Sequence, residues 1–182
     1  MIQSHLLQLM TLIAMEPPVS MEPEAIRDEK VKVLKSIRPI PQNAVHAHAF
    51  RAQYTGGMLD GEHVQGYLEE PNVPKDSVTE TYAAVKFYID NWRWRGVPFY
   101  LRTGKRMARG QSAVSIRFKH PPQQLFRDTQ IEMMQPNWVL LGIQPAECLR
   151  MEISVKEPGL EMKRRITSLD ASFRREDEAS TD

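Results

Sequence analysis

Tyr82-Ala83-Ala84-Val85-Lys86-Phe87-Tyr88-Ile89 sets Ala83, Val85, Phe87 and Ile89 against Tyr82, Ala84, Lys86 and Tyr88. A period of two predicts a strand with one buried and one wetter face. The alternation recurs downstream. Val114, Ile116 and Phe118 oppose Ser115, Arg117 and Lys119, while Leu149, Met151, Ile153 and Val155 oppose Arg150, Glu152, Ser154 and Lys156. Further strands are expected near residues 50–55, 99–103, 138–144 and 166–173. Turn chemistry separates these segments at Gly56-Gly57, Asp60-Gly61, Pro71 to Asp76, Gly96 to Pro98 and Pro158-Gly159.

Upstream of that stretch the period is helical. Ile2, Leu6, Leu9 and Ile13 recur as one apolar stripe, predicting a helix over residues 2–15 that Pro17 and Pro18 stop. Ser20 is placed to cap a second helix, with Ile26, Val33, Leu34 and Ile37 as its apolar face and Pro39 and Pro41 beyond its end. Two N-terminal helices followed by about seven strands predict an α+β fold with a large, mainly antiparallel β-sheet. No internal repeat is present.

The charge is uneven. The 182 residues carry 24 Lys+Arg and 23 Asp+Glu, a net charge of +1. Residues 91–127 hold nine basic side chains (Arg93, Arg95, Arg102, Lys105, Arg106, Arg109, Arg117, Lys119 and Arg127) and no acidic one, which leaves a balance of −8 elsewhere. A cationic segment within an acidic remainder points to an anionic ligand. It argues against nucleic acid, since the remainder repels a polyanion and no RRM, KH or helix-turn-helix signature is present.

Other classes fall away. No apolar run approaches the ~18 residues of a membrane span. The apolar N-terminus lacks the basic region and cleavage site of a secretory signal. A lone Cys148 excludes a disulfide framework and fits a reducing cytoplasm. The five histidines show no metal-ligand spacing; His46 and His48 are two apart, which in a strand would put them on one face, but two histidines alone make a poor site, and no metal site is expected.

Within the cationic segment, Lys105 follows Gly104 at the exit of the strand near 99–103, where a point charge can reach a bound anion. On spacing alone, a solvated surface lysine is the commoner reading. Arg117 and Lys119 read as sheet charges, and Arg93 and Arg95 as packing partners of Trp92 and Trp94. His5 sits near the first helix's apolar stripe, where a structural role is commoner than a catalytic one. No Gly-x-Gly-x-x-Gly, P-loop or Gly-x-Ser-x-Gly occurs.

Several stretches are more specific. His5-Leu6-Leu7-Gln8, Ile26-Arg27-Asp28-Glu29-Lys30-Val31-Lys32-Val33-Leu34-Lys35, Gln53-Tyr54, Gly66-Tyr67-Leu68-Glu69-Glu70, Asn91-Trp92-Arg93-Trp94 and Gly96-Val97-Pro98-Phe99-Tyr100-Leu101-Arg102-Thr103-Gly104-Lys105-Arg106 together resemble glucose-6-phosphate dehydrogenase. Ile143-Gln144-Pro145-Ala146-Glu147 and Pro158-Gly159-Leu160 continue the resemblance in order.

That resemblance implies oxidation of glucose 6-phosphate to 6-phosphogluconolactone with NADP, in the pentose phosphate pathway. It implies a Rossmann domain for the coenzyme and a larger α+β domain that contacts substrate and forms oligomers through its sheet. Residues 1–173 match most of the second domain, and residues 174–182 form a polar tail expected to be disordered. His5 matches the general base, a role suited to imidazole because it exchanges protons near neutral pH. Lys105 matches a substrate-binding lysine. Arg109 stands one position before the family's second basic contact, where this chain has Gly110, and Gln144 matches a residue near the substrate pocket. Arg102 matches a position linked in some members to a structural NADP, but the rest of that site is not identified. Ser4 replaces the usual Asn before the base.

The Rossmann glycines and the Ile-Asp-His-Tyr-Leu-Gly-Lys motif are not in this chain, so no coenzyme-binding residue is assigned. The expectation is an internal piece of a dehydrogenase with little activity alone. A non-catalytic sheet or dimerisation module, or a remnant without a role, are the alternatives. Trp138, Val139, Leu140, Leu141 and Ile143, apolar on both strand faces, favour the module.

Overall fold

The computed structural model describes residues 2–120 and 135–173; the tail at 174–182 and Arg127 lie outside the described residues. The chain divides into two compact units, Met1–Ala108 and Arg109–Asp182.

The first unit opens with a π-helical turn, Ile2–Leu6, which runs into α1 (Leu7–Ala14). A π turn carries more residues per turn than an α-helix. The stripe expected from a regular 3.6 period is therefore displaced: the most buried side chains of α1 are Met10, Thr11 and Ala14 rather than Leu9 and Ile13. Thr11 tolerates full burial because its hydroxyl donates 2.9 Å to the Gln8 carbonyl. α2 (Pro23–Lys35) packs on α1. Its cap differs from expectation. Glu22 holds the N-cap position and Pro23 starts the helix, where a missing N–H costs nothing, while Ser20 Oγ accepts only a 3.4 Å contact from the Glu22 amide. Val33 is buried on this helix and Leu34 is exposed, so the apolar face is narrower than its sequence suggests.

Next come α3 (Val45–His48) and β1 (Ala49–Ala52). His46 and His48 thus lie in a short helix, where a spacing of two does not put them on one face. His48 Nδ1 lies 3.2 Å from the Lys86 carbonyl, and its ring packs edge-on to Tyr88. β2 (Gly57–Leu59) and β3 (Glu62–Val64) form a hairpin whose two turn residues, Asp60 and Gly61, have φ of 51° and 87°. Positive φ at both positions is what a type I′ two-residue hairpin turn demands. β4 (Tyr82–Tyr88) and β5 (Pro98–Gly104) complete a three-stranded antiparallel sheet of order β1-β4-β5. As the central strand, β4 is half-covered along its whole length and shows no alternation in burial. Just beyond it, Ile89 is fully buried with Ala14 and Val33, and Met15, Ile37, Trp94 and Phe99 close round them.

Two forked ion pairs frame this core. Arg93 donates to Glu16 at 2.6 and 2.7 Å, and Arg38 donates to Asp90 at 2.9 and 2.6 Å. Hydrogen bonding to each guanidinium lowers the carboxyl pKa of Glu16 and of Asp90. A carboxyl lowered by folding stabilises the fold above the ordinary carboxylate range and loses that contribution as pH falls through its folded value. Both pairs are exposed, so the effect is modest. The Tm difference between the unsubstituted chain and Glu16→Gln is expected to persist at neutral pH and to close below about pH 4; a difference unchanged down to pH 2 would contradict the pairing.

The second unit is a four-stranded antiparallel meander of β6 (Ser112–Arg117), β7 (Trp138–Gln144), β8 (Cys148–Lys156) and β9 (Arg164–Ser172), paired in sequence order. The α+β expectation holds, with every strand pairing among the described residues antiparallel. No residue of these four strands is fully buried.

Candidate active site

His5 is exposed on the π-helical turn, and that turn packs against β5. Such turns are rare and recur at functional sites. The strand it touches ends at Gly104. A Cβ there would lie 2.7 Å from Met107 Sδ and 2.9 Å from Tyr82 Cδ2, so glycine is what lets the backbone pass. Lys105 follows at once, its amide donating 2.8 Å to the Thr81 carbonyl. Thr81 is itself held: its amide donates 2.9 Å to the Ala52 carbonyl, and its hydroxyl accepts 2.9 Å from the Tyr54 amide. The backbone of Lys105 is therefore anchored to the sheet, while its side chain is exposed and makes no ion pair or hydrogen bond among the described residues.

Several of the neighbouring cations are otherwise engaged. Arg93 is forked on Glu16. Arg106 pairs with Glu70 and lies over the Tyr54 ring, 5.9 Å from its centroid, and Arg117 lies 5.7 Å over the Trp138 ring. Arg95 contributes to the field that lowers the Asp90 carboxyl. Lys105, Arg102, Arg109 and Lys119 keep unpaired charges among the described residues. Of these, Lys105 stands at the end of the strand that touches the His5 turn.

Arg109 and Gln144 belong to the second unit. Gln144 closes β7, faces Ser112 across the ladder and precedes a cis peptide bond to Pro145. Arg109 stands three residues ahead of Ser112, which puts both at one end of that sheet. The structure thus packs the His5 turn on the Lys105 strand in one unit, and places Arg109 and Gln144 in the other. Among the described residues no three His, Cys, Asp or Glu side chains converge as metal ligands, and no helix is long and apolar enough to cross a membrane. Sequence reasoning missed Thr81 and Tyr54, whose hydrogen bonds hold the Lys105 backbone, and the contacts of Arg106 with Glu70 and Tyr54. The usable signal was Arg106 itself, a second cation directly after Lys105.

Comparison with known proteins gives one result throughout. The family model described as "Glucose-6-phosphate dehydrogenase, C-terminal domain" matches residues 1–182. A glucose-6-phosphate 1-dehydrogenase of Dickeya dadantii (strain 3937) is 49% identical over 175 residues, covering 95% of this chain and 35% of that relative. The Zymomonas mobilis protein of the same name is 47% identical over 161 residues, covering 88% and 33%. Among solved structures, one titled as glucose-6-phosphate dehydrogenase in complex with its substrate glucose-6-phosphate superposes with a TM-score of 0.79 at 39% identity, over 92% of this chain and 32% of that one. A glucose-6-phosphate 1-dehydrogenase structure from Mycobacterium avium gives 0.78 at 35% identity, over 95% and 35%. The chain spans about a third of the length of the curated relatives it matches. With a family model spanning the whole sequence and relatives near half identity, the chain belongs to the glucose-6-phosphate dehydrogenase family, through that family's C-terminal domain.

Proposed function

We propose that this chain supplies the substrate side of a glucose-6-phosphate dehydrogenase, which oxidises glucose 6-phosphate to 6-phosphogluconolactone with NADP in the cytoplasmic pentose phosphate pathway. The observation that carries the reading is the seating of the His5 turn on β5, whose exit displays the unpaired ammonium of Lys105. In this reading the His5 imidazole accepts the proton of the sugar's C1 hydroxyl. Lys105 meets an anionic oxygen of the sugar phosphate as a point charge, and Arg109 and Gln144 are secondary substrate contacts.

The described residues do not fit the coenzyme. Every strand pairing among them is antiparallel, so they contain no parallel βαβ unit to present a helix N-terminus to a pyrophosphate. No step of this chain's chemistry is therefore assigned through NADP, and the isolated 182 residues are expected to turn over little.

Titrating the chain with glucose 6-phosphate, followed by amide chemical shifts, tests the reading. Lys105→Ala is expected to weaken that binding about tenfold, the loss of one charge-assisted contact, and to leave the weaker response to glucose unchanged. Equal affinities for the sugar phosphate before and after the substitution would overturn the assignment of Lys105.

A second reading concerns assembly. With no strand residue of the second unit fully buried and Trp138, Ile143, Ile166 and Leu169 exposed, the four-stranded sheet is suited to pairing with another copy. Light scattering at several concentrations is expected to show a dimer or larger species. A stable monomer throughout would remove this reading.

A further inference from the structure

Three parts of the sequence that carry the family resemblance are far apart along the chain: Gln53-Tyr54, Glu69-Glu70 and Arg106. In the fold they meet. The Arg106 guanidinium pairs with the Glu70 carboxylate and lies 5.9 Å over the Tyr54 ring. The Tyr54 hydroxyl donates 3.2 Å to Glu70 Oε1, which leaves the carboxylate held from two sides. The backbone closes the circuit. The Tyr54 amide donates to Thr81 Oγ1, the Thr81 carbonyl accepts from the Lys105 amide, and Lys105 is bonded to Arg106. Lys105 is thus one link in a ring of contacts running Tyr54, Thr81, Lys105, Arg106 and back to Tyr54.

The backbone at Arg106 supplies an independent observation. Its φ is 49°, in the left-handed region. Among the described residues the other non-glycine positions with positive φ are Asp60 and Asn72, residue types whose short polar side chains accommodate it. An arginine there is held by its surroundings, and such strained positions concentrate at functional sites. The left-handed step turns the Arg106 side chain back onto Glu70 and Tyr54 while the Lys105 side chain remains exposed and unpaired.

We propose that Arg106 is a positioning residue for Lys105: clamped between Glu70 and the Tyr54 ring, it holds the left-handed turn that presents the Lys105 ammonium to the sugar phosphate. The inference rests on the reading of Lys105 as the substrate contact. It adds that Arg106 acts through Lys105 and does not itself touch the anion.

The test compares the full 182-residue chain with Lys105→Ala, Arg106→Ala, Arg106→Lys and the double variant, titrated with glucose 6-phosphate by amide chemical shifts. Arg106→Ala is expected to weaken binding about fivefold and to speed hydrogen exchange at the Lys105 amide about tenfold. The double variant is expected to bind no more weakly than Lys105→Ala alone, because a positioning group has nothing left to position. Arg106→Lys, which retains a cation for Glu70, is expected to recover most of the affinity. Additive losses in the double variant would place Arg106 on the anion and overturn the proposal. So would an unchanged affinity in Arg106→Ala while Lys105→Ala binds weakly. If Lys105→Ala itself binds normally, or the unsubstituted chain does not bind, the underlying reading fails and the inference falls with it. Should Arg106→Ala lose its folded amide spectrum, Glu70→Gln and Tyr54→Phe, which loosen the clamp from its other side, carry the same expectation and the same refutation.

Discussion

Changing His5 to asparagine is expected to lower kcat roughly 10²–10⁴-fold with little change in KM, in a chimera where this chain replaces the matching third of the Dickeya dadantii relative. Asparagine keeps a polar side chain of similar reach on the π-helical turn, so the packing of that turn on β5 is undisturbed. What it removes is a group able to accept a proton as the C1 hydroxyl is oxidised. The limb of the pH–rate profile that reports the free base is expected to vanish with it. NADP reduction monitored with glucose 6-phosphate checks both outcomes, and a chimera that loses less than about threefold would exclude His5 as the base. The same assay on the isolated 182 residues is expected to show little turnover, since a base without a positioned acceptor has no reaction to assist. Robust activity of the isolated chain would refute that expectation.

Ile89→Ala is expected to destabilise the first unit by about 2–5 kcal/mol. Ile89 is 0% exposed and sits where α1, α2 and the end of β4 converge, against Ala14 and Val33, with Trp94 and Phe99 closing the cavity edge. The surroundings cannot readily collapse on the void. Trp94 is tied by its indole N–H to the Ala14 carbonyl at 2.9 Å, and residues 37 and 89 form a backbone bridge. Against a total stability of order 5–15 kcal/mol this is a large share, and a Tm drop of at least about 10 °C is expected for a unit of this size. Ile89→Val, which removes one methyl, is expected to cost about 0.5–1.5 kcal/mol. If the alanine variant melts within about 2 °C of the parent, Ile89 is not at the centre of the core. The consequence reaches the site, because the helix packed on Ile89 is the one that continues from the His5 turn.

The longer strands were legible from local signals: alternation of apolar and polar side chains in β4, β6 and β8, and a continuous apolar run in β7. The bounds expected for β7 coincide with those observed, β5 and β8 extend one residue beyond their expected ends, and β9 begins two residues earlier and stops one residue sooner than expected. Elements governed by something other than periodicity were not legible. The π turn at Ile2–Leu6 has no compositional mark, and it displaced the apolar stripe of α1. Strands β2 and β3 are three residues each, too short to alternate, so only their turn at Asp60-Gly61 could be seen. Pro23 outcompeted Ser20 in setting the start of α2. For the site, His5 and Lys105 were reached through motif resemblance, and spacing alone left each a minority reading. The clamp on Lys105 joins residues 54, 70, 81 and 106, and only the tertiary fold brings such separated positions together.

The pairing of the cationic segment also has a kinetic side. Nine positive charges in residues 91–127 suggest a strong field that would draw anions in from a distance. Arg93 and Arg106 are neutralised by carboxylates in direct contact, so an approaching sugar phosphate meets fewer net charges than the segment contains. In the proposed role its association is therefore expected to depend on ionic strength less steeply than nine free charges would dictate. Discrimination in favour of the phosphorylated sugar would appear in how slowly it departs.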